Sequence, residues 1–209
     1  MPTITSIIVQ EKNKKRCNLF IDGEFYSGLS VESVLKNRLK KGLELSEKEL
    51  SDIVLESSKT DALSLAINYV SKNLKTKKQV KTYLLGKGFN ENVVWFCVDK
   101  LQEYKYIDDV EYSKRYIEST SKQQGRRLIE YKLMAKGVKK EDIVLAYESC
   151  EILTEEHAFS VAKKHIKNKQ LNKENLAKTY RYLIGRGFSY EETNYAISKI
   201  KEDCEWNEY

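Results

Sequence analysis

The chain is poor in the residues that punctuate, cross-link or catalyse. A single proline, Pro2, in 209 residues of which 33% are charged, with a mean hydropathy of −0.60, predicts largely helical, elongated structure with much solvated surface. The four cysteines, Cys17, Cys97, Cys150 and Cys204, form no C-x-x-C pair. They are expected as reduced thiols, with Cys97 and Cys150 acting as small core residues. The two histidines, His157 and His165, lack the one-face spacing of a helical metal pair. No apolar run approaches the roughly 18 residues that span a bilayer, and no charged segment followed by an apolar block heads the chain. A cytoplasmic location and no membrane contact are expected. Gly86-Lys87-Gly88 lacks the spacing and the hydroxyl residue of a phosphate loop. There is no nucleophile elbow and no carboxylate pair apart from helix-surface charge. An enzyme, a metal and a cofactor are all excluded as expectations.

What is abundant is repetition. Tyr83-Leu84-Leu85-Gly86-Lys87-Gly88-Phe89 returns as Lys132-Leu133-Met134-Ala135-Lys136-Gly137-Val138 and as Tyr182-Leu183-Ile184-Gly185-Arg186-Gly187-Phe188. The leucines stand 49 and 50 residues apart, the period of a repeat architecture. Each copy reads as a helix stop, with glycine in the left-handed position, a hydrophobe folding back and a cation at the negative helix end.

Before the repeats lies the only convincing β region, residues 3–29. Cys17, Leu19 and Ile21 alternate with Asn18, Phe20 and Asp22, and Asp22-Gly23 predicts a type I′ hairpin between them and Phe25-Tyr26. Ser30 is expected to cap a helix bearing Val31, Val34, Leu35 and Leu39 that stops at Gly42. Ser46 and Glu49 form a capping box. Glu56 to Lys59 reads as a polar junction and a flexible hinge.

Every copy of the repeat holds three helices. The first carries a small residue, then an aromatic, then an apolar one: Ala66, Tyr69, Val70; Ser113, Tyr116, Ile117; Ala162, His165, Ile166. His165 therefore reads as a substitute for packing tyrosine. The second helix ends in the glycine turn, with Thr76 and Gln79 boxing its start in one copy and Asn172 capping it in another. The third buries Val94, Cys97, Val98, Leu101; Ile143, Ala146, Tyr147, Cys150; and Thr193, Ala196, Ile197, Ile200, with Ser189 and Glu192 capping the last. The fold class expected is mainly α: three tandem three-helix repeats in an elongated, solenoid-like arrangement behind a small antiparallel β-hairpin region. The domains are residues 1–59, 60–108, 109–152 and 153–209, the last including an acidic tail from Glu202 to Tyr209 that is expected to fray.

The net charge of +6 is unevenly spread. Cations gather on the second helix of each repeat and the loop before it: Lys77, Lys78, Lys81 and Lys87; Arg126, Arg127 and Lys136; Lys178, Arg181 and Arg186. Stacked repeats would merge them into a basic strip able to track a polyanion. Tyr83, Tyr131, Tyr180 and Tyr182 lie among them and would stack on bases if exposed. Each lysine alone also fits a solvated helix face, and each tyrosine a core position. Only Lys87, Lys136 and Arg186 recur in all three copies, where helix capping already accounts for them.

Arg16-Cys17-Asn18-Leu19-Phe20-Ile21-Asp22-Gly23-Glu24-Phe25, Thr76-Lys77-Lys78-Gln79-Val80, Lys87-Gly88-Phe89, Tyr106-Ile107-Asp108-Asp109-Val110-Glu111-Tyr112 and Arg186-Gly187-Phe188 together resemble the bacterial RecX regulators of the RecA recombinase. The N-terminal segment is similar to the extension of Gram-positive members. Ser113 stands where alanine is usual and Val138 where isoleucine is commoner. The resemblance implies a tandem three-helix repeat protein, expected as a monomer, that lies in the groove of the RecA–DNA filament, touches DNA as an auxiliary, and restrains ATPase and strand exchange. A helical-repeat nucleic-acid binder acting without a recombinase is the alternative.

Overall fold

The computed structural model describes residues 1–205, with side chains through Asp203, so the end of the expected acidic tail, from Trp206, lies outside the described residues. Two compact units divide the chain: residues 1–74 with 80–107, and residues 75–79 with 108–209.

In the first unit, strands β1 (Ile4–Val9), β2 (Arg16–Ile21) and β3 (Glu24–Ser30) form an antiparallel sheet in sequence order. Asp22 and Gly23 adopt φ of 48° and 89°, the two positive values of the expected I′ turn. Alternation puts Cys17, Leu19 and Ile21 on the covered face, where Leu19 meets Ile4, Leu29, Leu39 and Leu50 in one core.

Helix α1 (Val31–Lys36) starts at the predicted Ser30 cap but is shorter than its apolar residues suggested. Leu35 is exposed, and Leu39 reaches the core from the loop. The stop is Arg38, left-handed at φ 50°, with Leu39 N–H donating to Val34 O at 3.0 Å. This is the motif that glycine usually closes, and Gly42 instead ties the loop to β1 through Ile4 O at 2.8 Å.

Helix α2 (Glu47–Val70) carries the Ser46–Glu49 capping box and runs unbroken for 24 residues. It passes straight through the expected hinge at 56–59. Nothing there breaks a helix: Ser57 is buried and accepts the Ser30 N–H at 3.1 Å, while Lys36 pairs with Glu56 at 2.6 Å. The apolar residues of α2 follow no single stripe because its two halves serve different cores. Leu50 faces the sheet; Ala62, Ala66 and Val70 pack with Val80 and Leu84 of α3 (Lys77–Gly86) and Val94, Cys97, Val98 and Leu101 of α4 (Glu91–Glu103). Burial holds the Cys97 thiol up at about 11, as befits a core residue.

The second unit contains α5 (Asp109–Thr120), α6 (Arg126–Ala135), α7 (Lys140–Glu148), α8 (Thr154–Ile166), α9 (Lys173–Gly185) and α10 (Tyr190–Glu205). α5, α6 and α7 enclose Ile117, Ile129, Leu133, Val138, Ile143 and Ala146. α8, α9 and α10 enclose Ala158, Ala162, Ile166, Leu183, Phe188, Ala196 and Ile200. α10 keeps helical geometry past Glu202, where fraying was expected. The small residues Ala66, Ser113 and Ala162 are fully buried, as helix–helix approach requires.

All three glycine turns have the expected geometry. Gly88, Gly137 and Gly187 have φ of 87°, 87° and 88°. Phe89, Val138 and Phe188 donate back to Leu84, Leu133 and Leu183 at 3.3, 3.1 and 3.2 Å. Above them the aromatic positions pair: Tyr69 stacks on Tyr83 at 4.1 Å and His165 on Tyr182 at 4.2 Å. His165 is thus a packing residue. Its Nδ1 lies 3.0 Å from Thr179 Oγ1 and its Nε2 lies 3.1 Å from Lys169 Nζ.

The start of α3 is capped twice. Thr76 and Gln79 make the predicted box, and Asp109 Oδ1 accepts the Lys77 N–H at 2.9 Å. Burial raises the Asp109 carboxyl, with the Lys77 N–H opposing. Asp108, by contrast, caps its own helix through Val110 and Glu111.

Two stability predictions follow from these caps and stacks. Asp109→Ala should cost about 1–2 kcal/mol by leaving a buried N–H without its acceptor. Asp109→Asn keeps an acceptor and removes a buried charge, so it should match or exceed the parent in urea melts at pH 7. For His165, burial and Lys169 lower the pKa. As pH falls below about 6.5, the unfolded chain takes up a proton that the folded chain resists, and stability declines until the folded pKa is passed. Melts of His165→Tyr between pH 7.5 and 5 should lack this component, and an unchanged slope would refute the assignment.

Candidate partner and nucleic-acid interface

The three recurrent cations occupy one repeated geometry. Lys87 Nζ lies 5.6 Å from the Tyr83 ring centre, Lys136 Nζ 5.9 Å from Tyr116, and the Arg186 guanidinium 5.0 Å from Tyr182. In the outer copies the cation covers the helix-two aromatic, which itself stacks on Tyr69 or His165. The middle copy has Lys132 in place of that aromatic, and Lys136 reaches Tyr116 directly. Each contact is worth about 0.5–1 kcal/mol at an exposed site. The positive charge therefore closes the stack as well as complementing the helix end.

Docking of helix starts onto two of these turns brings four of the other cations to them in the second unit. Thr76 Oγ1 donates to Lys136 O at 2.8 Å, and the Lys78 side-chain stem lies over Gly137. Gly125 N–H and Arg127 N–H donate to Arg186 O and Gly187 O at 3.0 and 3.2 Å. Lys77 and Lys78 are thereby placed beside Lys136, and Arg126 and Arg127 beside Arg186. A side chain on Gly125 would overlap the Gly187 carbonyl, which is why this cap carries none.

The ten cations differ in how far they are committed. Arg126 pairs with Glu130 at 2.7 Å and stacks 4.4 Å over Tyr147, whose hydroxyl is pushed upward by burial. Lys178 pairs with Glu174 at 2.6 Å, and Arg181 Nε donates to Ala177 O at 3.4 Å on the same helix. Lys81 lies 4.4 Å over Trp95 and 4.0 Å from Glu91. Among the described residues Lys77, half-buried, acts through its charge on the Asp109 carboxylate, whereas Lys78 and Arg127 are exposed and have no carboxylate partner. They are the free members of the set.

Of the four tyrosines considered for stacking, Tyr83 and Tyr182 are occupied by their own repeats, Tyr180 is half-buried, and Tyr131 is 67% exposed. Tyr131 stands one helical turn from Arg127, with Met134 exposed beyond it. Trp95 escaped the sequence reading; half exposed, it falls off the Val94–Cys97–Val98–Leu101 stripe, and that offset was the available signal.

A groove of about 670 Å³ along α2, lined by Leu55, Lys59, Leu63, Ile67 and Phe96, contains none of the ten cations. Among the described residues no cluster of His, Cys, Asp or Glu is arranged to hold a metal, and no helix is long and apolar enough to cross a membrane.

Three family models match: the regulatory protein RecX N-terminal domain at residues 2–46, the first RecX three-helix domain at 62–101 and the second at 108–146. The chain is 35% identical to the regulatory protein RecX of Clostridium tetani over 202 residues, covering 94% of both chains. It is 32% identical to that of Clostridium beijerinckii over 205 residues, covering 96% of both. A crystal structure of regulatory protein RecX superposes with a TM-score of 0.69 at 25% identity, over 94% of this chain and 98% of the other. The RecX of Lactobacillus salivarius shares the fold, with a TM-score of 0.63 at 22% identity over 69% of this chain and 97% of that one. With models matching in succession and relatives similar from end to end, the chain belongs to the RecX family of regulatory proteins.

Proposed function

We propose that this chain is a non-enzymatic modulator, mainly an inhibitor, of the RecA recombinase. It binds along the groove of the RecA–DNA filament and restrains ATPase, strand exchange and filament extension. In this reading the chain is a monomer organised as residues 1–59, 60–108, 109–152 and 153–209. The three repeats follow in tandem, with α2 shared between the first two segments. RecA is the principal partner and single- or double-stranded DNA an auxiliary one.

The observation that supports the reading best is the pairing of free cations with docked turns. Lys78 beside Lys136, and Arg127 beside Arg186, put positive charge at a repeating interval on a chain of regulatory family. Charge so arranged suits a regularly spaced, phosphate-rich target better than a small ligand. Exposed Tyr131 next to Arg127 adds a ring for a splayed base.

The direct test is recombinase ATPase on single-stranded DNA with and without this protein. Inhibition at stoichiometric concentration is expected in a cognate system, and an unchanged rate would defeat the proposal. Binding to bare DNA should fall steeply between about 50 and 200 mM salt. Tight bare-DNA binding without any effect on ATPase would favour the recombinase-independent alternative.

The ten candidates should also separate. Arg127→Glu should weaken inhibition several-fold with an unchanged melting curve, because Arg127 has no carboxylate partner among the described residues. Arg126→Glu should weaken inhibition and also lower stability by about 1 kcal/mol through loss of the Glu130 and Tyr147 contacts. Equal inhibition by Arg127→Glu and the parent would remove α6 from the interface.

A further inference from the structure

Among the described residues, two of the three glycine turns are covered by the start of a helix, and the third is not. The Gly137 turn receives Thr76 and Lys78 at the start of α3, and the Gly187 turn receives Gly125, Arg127 and Leu128 at the start of α6. In both cases a donor at the cap meets the carbonyl of the basic residue before the glycine. The positive end of one helix thus closes on the negative end of another.

Covering changes burial at matched positions. At the third turn Gly187 and Phe188 are both buried; at the second Gly137 is half-buried and Val138 buried; at the first Gly88 is exposed and Phe89 only partly buried. The space that a side chain on Gly88 or on Gly86 would fill is empty to 4 Å. Leu85 beside them is 38% exposed. Yet the first turn is chemically the near twin of the third: Leu-Gly-Lys-Gly-Phe against Ile-Gly-Arg-Gly-Phe.

We propose that the Leu85–Phe89 turn is a docking surface for the N-terminal end of a helix on the protein partner. The incoming helix would begin with a small cap residue, as Gly125 and Thr76 do here. Its cap would donate to the Lys87 carbonyl, and its first-turn side chain would cover Gly88 and Phe89. Resting on the reading that this partner is RecA, the inference names the turn through which RecA is held, a contact made with backbone carbonyls and apolar surface and distinct from the cation clusters.

The test uses Gly86, which is helical, has no left-handed φ and faces open space, so a large residue fits without strain. Gly185 is its counterpart in α9, also facing open space, beside a turn that is already covered. Affinity of the full chain for RecA assembled on single-stranded DNA would be measured for Gly86→Trp and Gly185→Trp, with melting curves for both. Gly86→Trp should weaken binding about tenfold or more, the scale of a lost central contact, while Gly185→Trp stays within about twofold. Unchanged binding by Gly86→Trp, or equal losses in both variants, would overturn the docking site while leaving the RecA reading intact. A parent chain that fails to bind RecA would defeat that reading instead. Sedimentation of the parent alone completes the set: self-association abolished by Gly86→Trp would assign the turn to a second copy and overturn the partner proposed here.

Discussion

The exposed carbonyls at a helix C-terminus are the constraint on which this architecture rests. Short helices have little cooperative stability of their own, and each of α3, α6 and α9 ends with backbone acceptors that need partners. The left-handed glycine turns the chain so that its next amides satisfy two of them and the following hydrophobe enters the core. A different residue at φ near 87° would cost about 1–2 kcal/mol. At Gly187 it would also strike Leu128, so the same position answers both a conformational and a packing demand.

A turn that still offers acceptors is a natural seat for a helix that begins with unsatisfied donors. The start of α6 on the Gly187 turn shows how this works without side-chain capping: Gly125 supplies no capping oxygen, and its own amide is spent on Arg186 O. The start of α3 solves the same problem with more pieces. Thr76 caps Gln79 and reaches Lys136 O, while the buried Asp109 takes the Lys77 amide. The charge cost of burying Asp109 is tolerated because the amide it accepts has no intrahelical partner. Architecture and charge are coupled in consequence, since the cap positions that seat the helices are followed at once by Lys77, Lys78, Arg126 and Arg127.

What was legible in the sequence was whatever a single residue type decides locally. Gly88, Gly137 and Gly187 announced their turns, and Ser46, Thr76, Asn172 and Ser189 announced their caps. The failures have a common origin in context. α1 stops at Arg38, left-handed without being glycine, because the buried Leu39 just beyond rewards the turn more than the side chain penalises it. The supposed hinge at 56–59 is helix because Ser57 is buried against Ser30, a pairing 27 residues distant that no local pattern contains. The candidate cations were found by composition, and the pairs of Arg126 with Glu130 and Lys178 with Glu174 lie within single helices, but the rings that engage Lys81, Arg126 and Lys136 come from other helices. Arg126 and Arg127 are adjacent and chemically identical; only the fold makes one a stacking residue and leaves the other free.

That division bears on how a regulator of this kind can combine stability with a charged surface. A cation used only for binding leaves unrelieved repulsion in the free chain, whereas one laid over an aromatic ring contributes to folding before any partner arrives. Lys87, Lys136 and Arg186 belong to the second class, which explains why their positions repeat more strictly than those of Lys78 or Arg127. The middle repeat makes the point most directly. It has Lys132 where the other copies have a helix-two aromatic, yet Lys136 still finds a ring by reaching past it to Tyr116, while Lys132 turns to Gln124 at 2.7 Å. A basic residue at the turn is thus maintained by the fold's own need for it, and only the free cations around it are left to be set by a partner.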